Sequence, residues 1–457
     1  MILRDLLHPR RSGLVASSLG SLAIKLSSAG LVLALTIVLA RSLGPSGYGL
    51  YAYVYALVWL LVVPAELGLP MLVVRETAAA RAHQAWGRIR GVWQWATRLA
   101  LTLSLTITIL SGLALAVFAP HFSDEQLTTF AAGVVMATLM VLGNLTGAAL
   151  RGLRHVLQGQ FPDLVIRYAL ALAFCTVAAL LLGDAFTASH AMALHALAAG
   201  IALVAGRVML ARVRPVELGS APPIREPREW LQSTIPLALV AGTFLMHQQT
   251  DIVVLGLFVD EAQIGIYRVA VQTAGFLAFG LHAVNMVAAP QFARLHSLGD
   301  HDRLQRVVTT SARVTLALTA LAVIGLVSVG RPVIDLAFGV EYDAAYSPIL
   351  ILAIGQIFNA GSGSVVFLLN MTGHERLVVR VLGLAVVLNI GLNVGLIPLF
   401  GLNGAAAATA ITLALWNLRL WWAVRQQLGI ESTAIGRPLA GRQVAADDAG
   451  GMPTSRR

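Results

Sequence analysis

Long uninterrupted apolar segments recur along this chain and constrain its fold more than any other feature. A helix needs about 20 apolar residues to cross the hydrocarbon core of a bilayer. Only 12% of the residues are charged, against about 25% in soluble proteins, which excludes a soluble enzyme and a nucleic-acid-binding protein. The sequence therefore predicts an all-α polytopic membrane protein. Its apolar runs predict twelve spans, at residues 14–40, 49–72, 99–118, 127–150, 164–182, 191–210, 235–259, 264–289, 307–329, 347–369, 377–399 and 405–424.

The basic residues indicate how these helices are oriented. The chain has a formal net charge of +10, and its basic residues are all arginine except Lys25. The arginines concentrate in alternate loops, beginning with Arg4, Arg10 and Arg11 before the first span. Cytoplasmic loops of membrane proteins are enriched in arginine and lysine, so this alternation predicts that both termini are cytoplasmic. Topology then accounts for most of the positive charge, and no nucleic-acid partner is needed.

One polar segment, 211–230, divides the predicted spans into two sets of six. It contains four prolines, which is typical of a semi-rigid connector. The division predicts an N-terminal six-helix lobe at 1–210, a cytoplasmic linker at 211–230 and a C-terminal six-helix lobe at 231–430. The small, polar and aperiodic residues 431–457 predict a disordered cytoplasmic tail.

A faint internal repeat relates the two sets of spans. The motif GLYA at residues 49–52 opens the second span, and GIYR at residues 265–268 opens the eighth. Six spans are an even number, so both copies have the same orientation in the membrane. The repeat therefore predicts a pseudo-two-fold axis along the membrane normal, with a central cavity between the two lobes.

Four segments of the chain resemble the oligosaccharide flippases of the polysaccharide transport family. They are LARSLGPSGYGLYAYVYAL (39–57), AELGLPMLVVRETA (65–78), DIVVLGLFVDEAQIGIYRVA (251–270) and NVGLIPLFGLNGAAAATA (393–410). Lipid II flippases and multidrug (MATE) exporters share the twelve-helix fold of this family. The resemblance implies a V-shaped alternating-access transporter of the bacterial inner membrane, surrounded by membrane lipids. The implied substrate is a polyprenyl-pyrophosphate-linked oligosaccharide, and the implied partners are a polysaccharide polymerase and glycosyltransferases.

Three basic residues are candidates for binding the pyrophosphate of such a substrate. Lys25 lies roughly 16 Å into the first span, at a rise of 1.5 Å per residue, where an ionisable side chain is costly. Its cation suits a pyrophosphate, and the alternative is a side chain that reaches along the helix towards water. Arg268, near the start of the eighth span, binds the same group or is an ordinary interfacial arginine. Arg41, at the outer end of the first span, binds substrate or caps a helix terminus.

The seventh span is the least apolar and contains a candidate ion site. His247 and Asp251 share one helix face, and a buried aspartate needs a partner or a bound cation. Three interpretations remain open: a proton-sensitive His247–Asp251 pair, a monovalent cation on Asp251, or a hydrogen-bond network between helices. The expected coupling ion is accordingly Na⁺ or H⁺, and no other metal or cofactor is expected.

The resemblance to lipid II flippases adds a possible ligand set. Some of those proteins hold sodium between helices seven, eleven and twelve, and the matching positions here are Asp251, Asn389, Asn393, Ala405 (through its carbonyl) and Thr409. Asn393 departs from that pattern, which has an acid there. With a single carboxylate, the implied site binds a cation more weakly or is structural.

Glu66 and Arg75 form a candidate intracellular gate near the inner end of the second span, or else stabilise the helix end. The sequence as a whole predicts a flippase that moves an undecaprenyl-pyrophosphate-linked oligosaccharide from the inner to the outer leaflet, driven by an ion gradient or the membrane potential. The alternative is a cation-coupled multidrug or small-molecule exporter of the same fold. Because the predicted outer loops are short and no phosphate-binding loop occurs, an enzyme is not expected.

Overall fold

A computed structural model describes residues 9–436, and the side chains of residues 20–436 except 236, 239–241, 243–248 and 286. Within that range the secondary structure is helical and contains no strand. Short 3₁₀ turns or a π turn connect several of the helices. The α-helices are α1 (Pro9–Glu66), α2 (Leu69–Ala82), α3 (Trp86–Phe118), α4 (Asp124–Gly152), α5 (Val156–Phe161), α6 (Arg167–Leu182), α7 (Ala188–Val213), α8 (Glu217–Ser220), α9 (Pro227–Leu255), α10 (Glu261–Gly275), α11 (Phe279–Ser297), α12 (His301–Ala337), α13 (Tyr346–Ser362), α14 (Val365–Met371) and α15 (Glu375–Leu428).

Nine stretches of the described chain are helical, long and apolar enough to cross a membrane. Two of them, in α1 and α15, have 47 and 54 residues and are long enough for two crossings of about 20 residues each. Each contains one glycine with non-helical backbone angles, Gly44 in α1 (φ 65°) and Gly401 in α15 (φ 56°). A positive φ is inexpensive only for glycine, so these two positions let a long helix kink. The predicted count of twelve spans and the cytoplasmic termini stay predictions.

The chain packs into two compact units. The first contains the chain up to Thr273 together with Val329–Ile351 and Val386–Thr409. The second contains Ala274–Ser328, Leu352–Ala385 and the chain from Ala410 onward. Its core includes Phe292, Leu368 and Leu420, which are fully buried. The predicted lobes at 1–210 and 231–430 stay a prediction.

A break in the helical chain separates α1 from α2. Leu67 and Gly68 both have positive φ angles, of 45° and 72°, and prolines lie on either side. The chain then continues as α2 for 14 residues. Glu66 therefore lies at an internal break, whereas the sequence predicts a span that ends at residue 72 with Glu66 near its inner end.

The predicted linker is attached to α3 by contacts at the level of the backbone. Ile224 donates its N–H to the carbonyl of Gly87 at 3.0 Å, and Arg90 donates to two further linker carbonyls at 2.8 Å. A Cβ on Gly91 would lie 1.7 Å from the carbonyl oxygen of Ile224. Trp230, at the end of the linker, is fully buried. The linker is thus fixed along α3, which its proline content alone does not predict.

An ion-pair cluster reinforces this attachment. Arg88 of α3 lies 3.1 Å from Glu76 of α2, 3.1 Å from Glu226 and 2.9 Å from Glu229. The two latter carboxylates belong to the linker and to the start of α9. Three carboxylates around one guanidinium hold α2, α3 and the linker together.

The residues after α15 are ordered as far as Gly436, contrary to the predicted disordered tail from residue 431. Ser432 is fully buried, and its hydroxyl donates to the carbonyl of Ser362 at 3.1 Å. Ala434 donates its N–H to the carbonyl of Gly361 at 3.0 Å. These acceptors lie at the end of α13, where the helix breaks before α14 and its last carbonyls lack helical partners. Residues 437–457 lie outside the described residues.

Substituting Gly91 with alanine should destabilise the protein. A methyl group there would overlap the Ile224 carbonyl, and overpacking typically costs about 1–3 kcal/mol. We expect a lower apparent Tm in thermal unfolding of the detergent-solubilised protein.

Gly112 on the same helix is the matched control, because a Cβ there meets nothing within 4 Å. Gly112→Ala should leave Tm unchanged or raise it, since alanine is favoured over glycine in a helix by about 1 kcal/mol. An equal response of the two variants would show that the linker is not held at Gly91.

Candidate substrate and ion sites

Lys25 is an exposed cation on α1. Ser21, one turn before it, donates to Oε1 of Gln160 at 2.8 Å, and Ser28, one turn after it, is buried. Lys25 itself makes no hydrogen bond or ion pair with any residue that the structure describes. Both serines are therefore engaged within the protein, whereas the ammonium group of Lys25 is available to a ligand.

Arg268 lies where α1 and α10 cross. Its side chain is partly buried and lies close to the hydroxyl group of the buried Tyr48. The two helices touch through backbone: a Cβ would lie 1.7 Å from a carbonyl of the opposite helix at Gly49, and 2.3 Å at Gly265. These glycines are the first residues of the two motifs in the predicted repeat, so the two motifs are in direct contact.

Arg41 caps a helix terminus. Its Nε donates to the carbonyl of Ala337 at 2.9 Å, and a second guanidinium N–H donates to the carbonyl of Leu336. Both acceptors are at the C-terminal end of α12, where a cation interacts favourably with unpaired carbonyls and the helix dipole. The sequence leaves two roles open for Arg41, and the geometry matches capping. The capped helix is α12, which is remote from Arg41 in the chain.

Asp251 on α9 is buried and bound by a tyrosine. Its Oδ2 accepts a hydrogen bond of 2.9 Å from the hydroxyl of Tyr267, and its Oδ1 accepts one from the Ile252 N–H, also at 2.9 Å. The Tyr267 hydroxyl also faces the side chain of Thr409. Tyr267 thus brings together two of the predicted cation ligands, and the sequence does not predict this role for it. The side chain of His247, the predicted proton partner, lies outside the described residues.

Two of the other predicted ligands have an oxygen without a hydrogen-bond partner in the described structure. Asn393 is fully buried and donates its Nδ2 to the carbonyl and to the Oδ1 of Asn389, at 2.9 and 3.0 Å. Among the described residues, Oδ1 of Asn393 and Oγ1 of Thr409 are buried without a hydrogen-bond partner. Ala405, expected to act through its carbonyl, is fully buried. Buried oxygens that lack a donor are the kind of ligand that a hard monovalent cation takes.

The structure does not pair Glu66 with Arg75. Glu66 is 9% exposed and accepts a hydrogen bond of 2.6 Å from Nδ2 of Asn144. Arg75 instead binds Glu76 at 3.1 Å, as part of the cluster around Arg88. The Glu66–Arg75 gate pair that the sequence suggests is therefore not formed in this structure.

The structure also contains a buried ionic cluster that the sequence does not predict. Arg167, 2% exposed, donates its Nε to Oδ1 of Asp163 at 2.8 Å, and its guanidinium lies 4.2 Å from the ring centre of Tyr168. Its Nη1 contacts Nε2 of His195 at 3.2 Å, and Nδ1 of that ring lies 2.6 Å from the hydroxyl of Tyr51. Since a guanidinium can only donate, Nε2 must accept, and Nδ1 carries the proton and donates to Tyr51.

A local irregularity precedes this cluster. Residues Pro162–Ile166 form a single π turn, which includes Asp163 and leads directly into Arg167. Such π turns are frequent at functional sites. The sequence does contain a signal for this cluster. Arg167 lies inside the fifth predicted span and an acid precedes it by four residues, a spacing that predicts an ion pair within the membrane.

Comparison with known proteins is consistent with these features. The model of the polysaccharide biosynthesis protein family matches residues 38–347. The chain belongs to this family. One relative is the probable low-salt glycan biosynthesis flippase Agl15 of Haloferax volcanii, 27% identical over 175 residues. That match covers 38% of this chain and 37% of the relative, so the chain spans well under half of that protein's length.

Solved structures show the same fold. An inward-facing multidrug resistance MATE transporter of the MOP superfamily superposes with a TM-score of 0.71 and 14% identity, over 90% of this chain and 98% of that one. The lipid II flippase MurJ, in an inward closed conformation, gives a TM-score of 0.70 and 14% identity, over 89% of this chain and 87% of that one. Together with the nine candidate spans of the described chain, these matches show that the protein is a multi-pass membrane protein with the helical fold of these two transporters.

Replacing Arg167 with methionine should destabilise this family member strongly. The variant leaves Asp163 without its cation, and breaking a buried ion pair from one side typically costs about 3–5 kcal/mol. We expect a lower apparent Tm in detergent.

The double variant R167M/D163L tests the cause, because removing both charges of a buried pair is often nearly neutral. It should recover most of the lost Tm. A double variant no more stable than R167M would show that charge pairing is not what Arg167 contributes.

Proposed function

We propose that the protein is a flippase that moves an undecaprenyl-pyrophosphate-linked oligosaccharide from the inner to the outer leaflet of the plasma membrane, for cell-surface polysaccharide biosynthesis. The family match over residues 38–347 supports a role in that process. The relative Agl15, a probable low-salt glycan biosynthesis flippase, supports the type of transport. The oligosaccharide would come from glycosyltransferases and pass to a polymerase, which would be the functional partners.

The observation that carries this proposal is the state of Lys25. The ammonium group lies within a helix that contains an apolar span, is exposed, and has no protein partner among the side chains that the structure describes. By contrast, Arg167 and Asp163 neutralise each other. A charge kept unpaired in such a segment is costly unless a ligand uses it, and a pyrophosphate is a suitable counter-ion.

Arg268 is the second proposed contact to the pyrophosphate. It is only partly buried, and its described contact is with a neutral tyrosine hydroxyl rather than a carboxylate. Its charge is therefore available in the region where α1 and α10 cross. Arg41, committed to the carbonyls at the end of α12, would position that helix rather than bind substrate.

For the driving force, we propose a cation bound by Asp251, Asn389, Asn393, Thr409 and the carbonyl of Ala405. The two buried oxygens without donors and the single carboxylate support this ligand set. Tyr267 would hold the carboxylate in place and keep one of its oxygens oriented. Binding would favour one arrangement of the helices that carry these residues and so couple the ion gradient to alternating access.

Lys25→Ala should reduce flipping of a lipid-linked oligosaccharide in proteoliposomes by about tenfold or more, since a charge-assisted contact is worth about 1.5–3 kcal/mol. Lys25→Arg should retain most activity, because it preserves the cation. Both are measured at matched protein levels.

Arg98→Ala is the control, since Arg98 is also exposed on a membrane-spanning helix but is not proposed to bind substrate. It should flip at the wild-type rate. Full activity of Lys25→Ala would refute the headgroup assignment and favour an exporter that needs no pyrophosphate site.

Sodium dependence tests the cation site. At fixed pH, replacing Na⁺ with a large organic cation should slow flipping by the wild-type protein. Asp251→Asn removes the only carboxylate of the set and should flip slowly and equally in both media. A wild-type rate that is independent of Na⁺ would contradict sodium coupling at Asp251.

A further inference from the structure

A cation on α7 has no role in the sites described above. Arg207 belongs to a helix that is long and apolar enough to cross a membrane, and its side chain is exposed. Its Nε donates to Oγ1 of Thr146 in α4 at 3.3 Å, and it contacts no carboxylate among the residues that the structure describes. An ionisable side chain in a membrane helix is costly unless its charge is compensated, so Arg207 is a candidate for binding an anion.

A small cavity adjoins this guanidinium group. Its volume is about 130 Å³, and α2, α3, α4 and α7 all contribute to its lining. Of the described residues that line it, Arg207 is the only charged one, and none is acidic. Because a water molecule occupies about 30 Å³ in the liquid, the cavity has room for a group as large as a phosphate. Its size and charge therefore suit an oxyanion.

Two hydroxyl groups complete the polar part of this cavity. The Thr146 hydroxyl donates to the carbonyl of Leu142 at 2.8 Å, which leaves its oxygen to accept from Arg207. The Thr97 hydroxyl of α3 makes no hydrogen bond with the described residues. Arg207 and Thr97 thus supply donors to one cavity, and the oxygens of a phosphate accept from both.

The cavity lies at the level of lipid headgroups. The 33 residues of α3 extend over roughly 50 Å, which exceeds the ~30 Å of a hydrocarbon core. Trp93, whose ring lines the cavity and whose Nε1 donates to Thr77 at 2.9 Å, is roughly 10 Å from the start of α3. Arg207 is roughly 9 Å from the end of α7. Tryptophan is enriched where a membrane meets water, so this ring and the cation mark the interface.

Exposed apolar side chains lead from the cavity into the bilayer. On α3, Leu101 and Leu105 follow Thr97 at intervals of four residues, so the three share one helix face, and both leucines are exposed. On α7, exposed apolar residues precede Arg207 about one turn apart, at Leu197, Ile201 and Val204. The cavity lies near the start of α3 and near the end of α7, so both series run from it towards the bilayer centre. They suit hydrocarbon chains that begin at the cavity.

The charges select among phospholipids. Choline and ethanolamine headgroups carry an ammonium group, which Arg207 would repel and which no acidic residue of the lining would attract. In phosphatidylglycerol the phosphate is the only charged group. The arrangement therefore favours an anionic phospholipid over a zwitterionic one.

We propose that the cavity at Arg207 is a binding site for an anionic phospholipid. The phosphate contacts Arg207 and Thr97, and the acyl chains follow the exposed apolar faces of α3 and α7. Basic pockets between membrane helices are typical sites for such headgroups. The lipid is a resident ligand that holds α3 and α7 against α4, and its binding does not depend on the proposed transport function. Since it binds the folded protein, it stabilises that state.

Lipid titration of the full-length protein in non-ionic detergent tests this site, with bound lipid counted by native mass spectrometry. Phosphatidylglycerol should bind the wild-type protein more tightly than phosphatidylcholine by roughly threefold or more. Arg207→Gln should weaken phosphatidylglycerol binding by roughly tenfold and abolish this preference, because it removes a charge-assisted contact. Added phosphatidylglycerol should also raise the apparent Tm of the wild-type protein more than that of Arg207→Gln.

Arg212→Gln is the matched control, since Arg212 is an exposed arginine of the same helix that does not line the cavity. It should bind phosphatidylglycerol as the wild-type protein does. Thr97→Leu keeps the charge of Arg207 but fills the cavity, so it should weaken binding by roughly threefold or more. This variant keeps the test decisive even if Arg207→Gln does not fold.

Three results would overturn the proposal. Equal losses of binding in Arg207→Gln and Arg212→Gln would mean that any surface arginine attracts the lipid. Wild-type affinity in Thr97→Leu would mean that the cavity is not occupied. Stabilisation of the wild-type protein by inorganic phosphate alone, to the same extent as by phosphatidylglycerol, would show a site for a free anion rather than for a lipid.

Discussion

Every backbone polar group inside a bilayer must find a partner within the protein, and the rest of this structure follows from that requirement. Helices meet it through their own hydrogen bonds, so each point where a helix breaks needs a substitute. At the end of α13 the residues after α15 supply it, since Ala434 and Ser432 bond the carbonyls of Gly361 and Ser362. The order of this segment is thus explained by the break that it completes.

The same requirement explains why the breaks coincide with the chemistry. At Glu66 the chain interrupts a helix, accepts a strained leucine and buries a carboxyl group bound to Asn144. At Pro162–Ile166 a π turn leads into the buried Arg167. Irregular backbone is tolerated at membrane depth only inside the protein or beside a cavity, and the π turn lines a small cavity that Asn144, the partner of Glu66, also lines. Breaks and charges therefore occur together because each needs the same sheltered, polar surroundings.

Charges in the described membrane helices fall into two groups, and the difference assigns their roles. Arg167, Asp163 and Arg41 are satisfied by protein groups, which makes them part of the scaffold. Lys25 is exposed, without a described protein partner, and Arg268 contacts only a neutral hydroxyl. An uncompensated cation in a membrane-spanning segment is a candidate for binding a ligand, and under the proposed function that ligand is the pyrophosphate of a lipid-linked oligosaccharide.

By itself, the sequence determined the all-helical membrane class, because long apolar runs are a local property, and it predicts that Lys25 and Asp251 lie within such runs. It also pointed to the family through four short segments. Only the tertiary structure decided that Tyr267 binds Asp251, that Asn144 rather than Arg75 binds Glu66, and that the linker lies along α3. Those partners come from different helices, and apolar helices can pack in many ways. At Gly49 and Gly91 the backbone of another segment comes so close that only glycine fits, which favours one packing over the others. The sequence near each glycine does not show which segment it contacts.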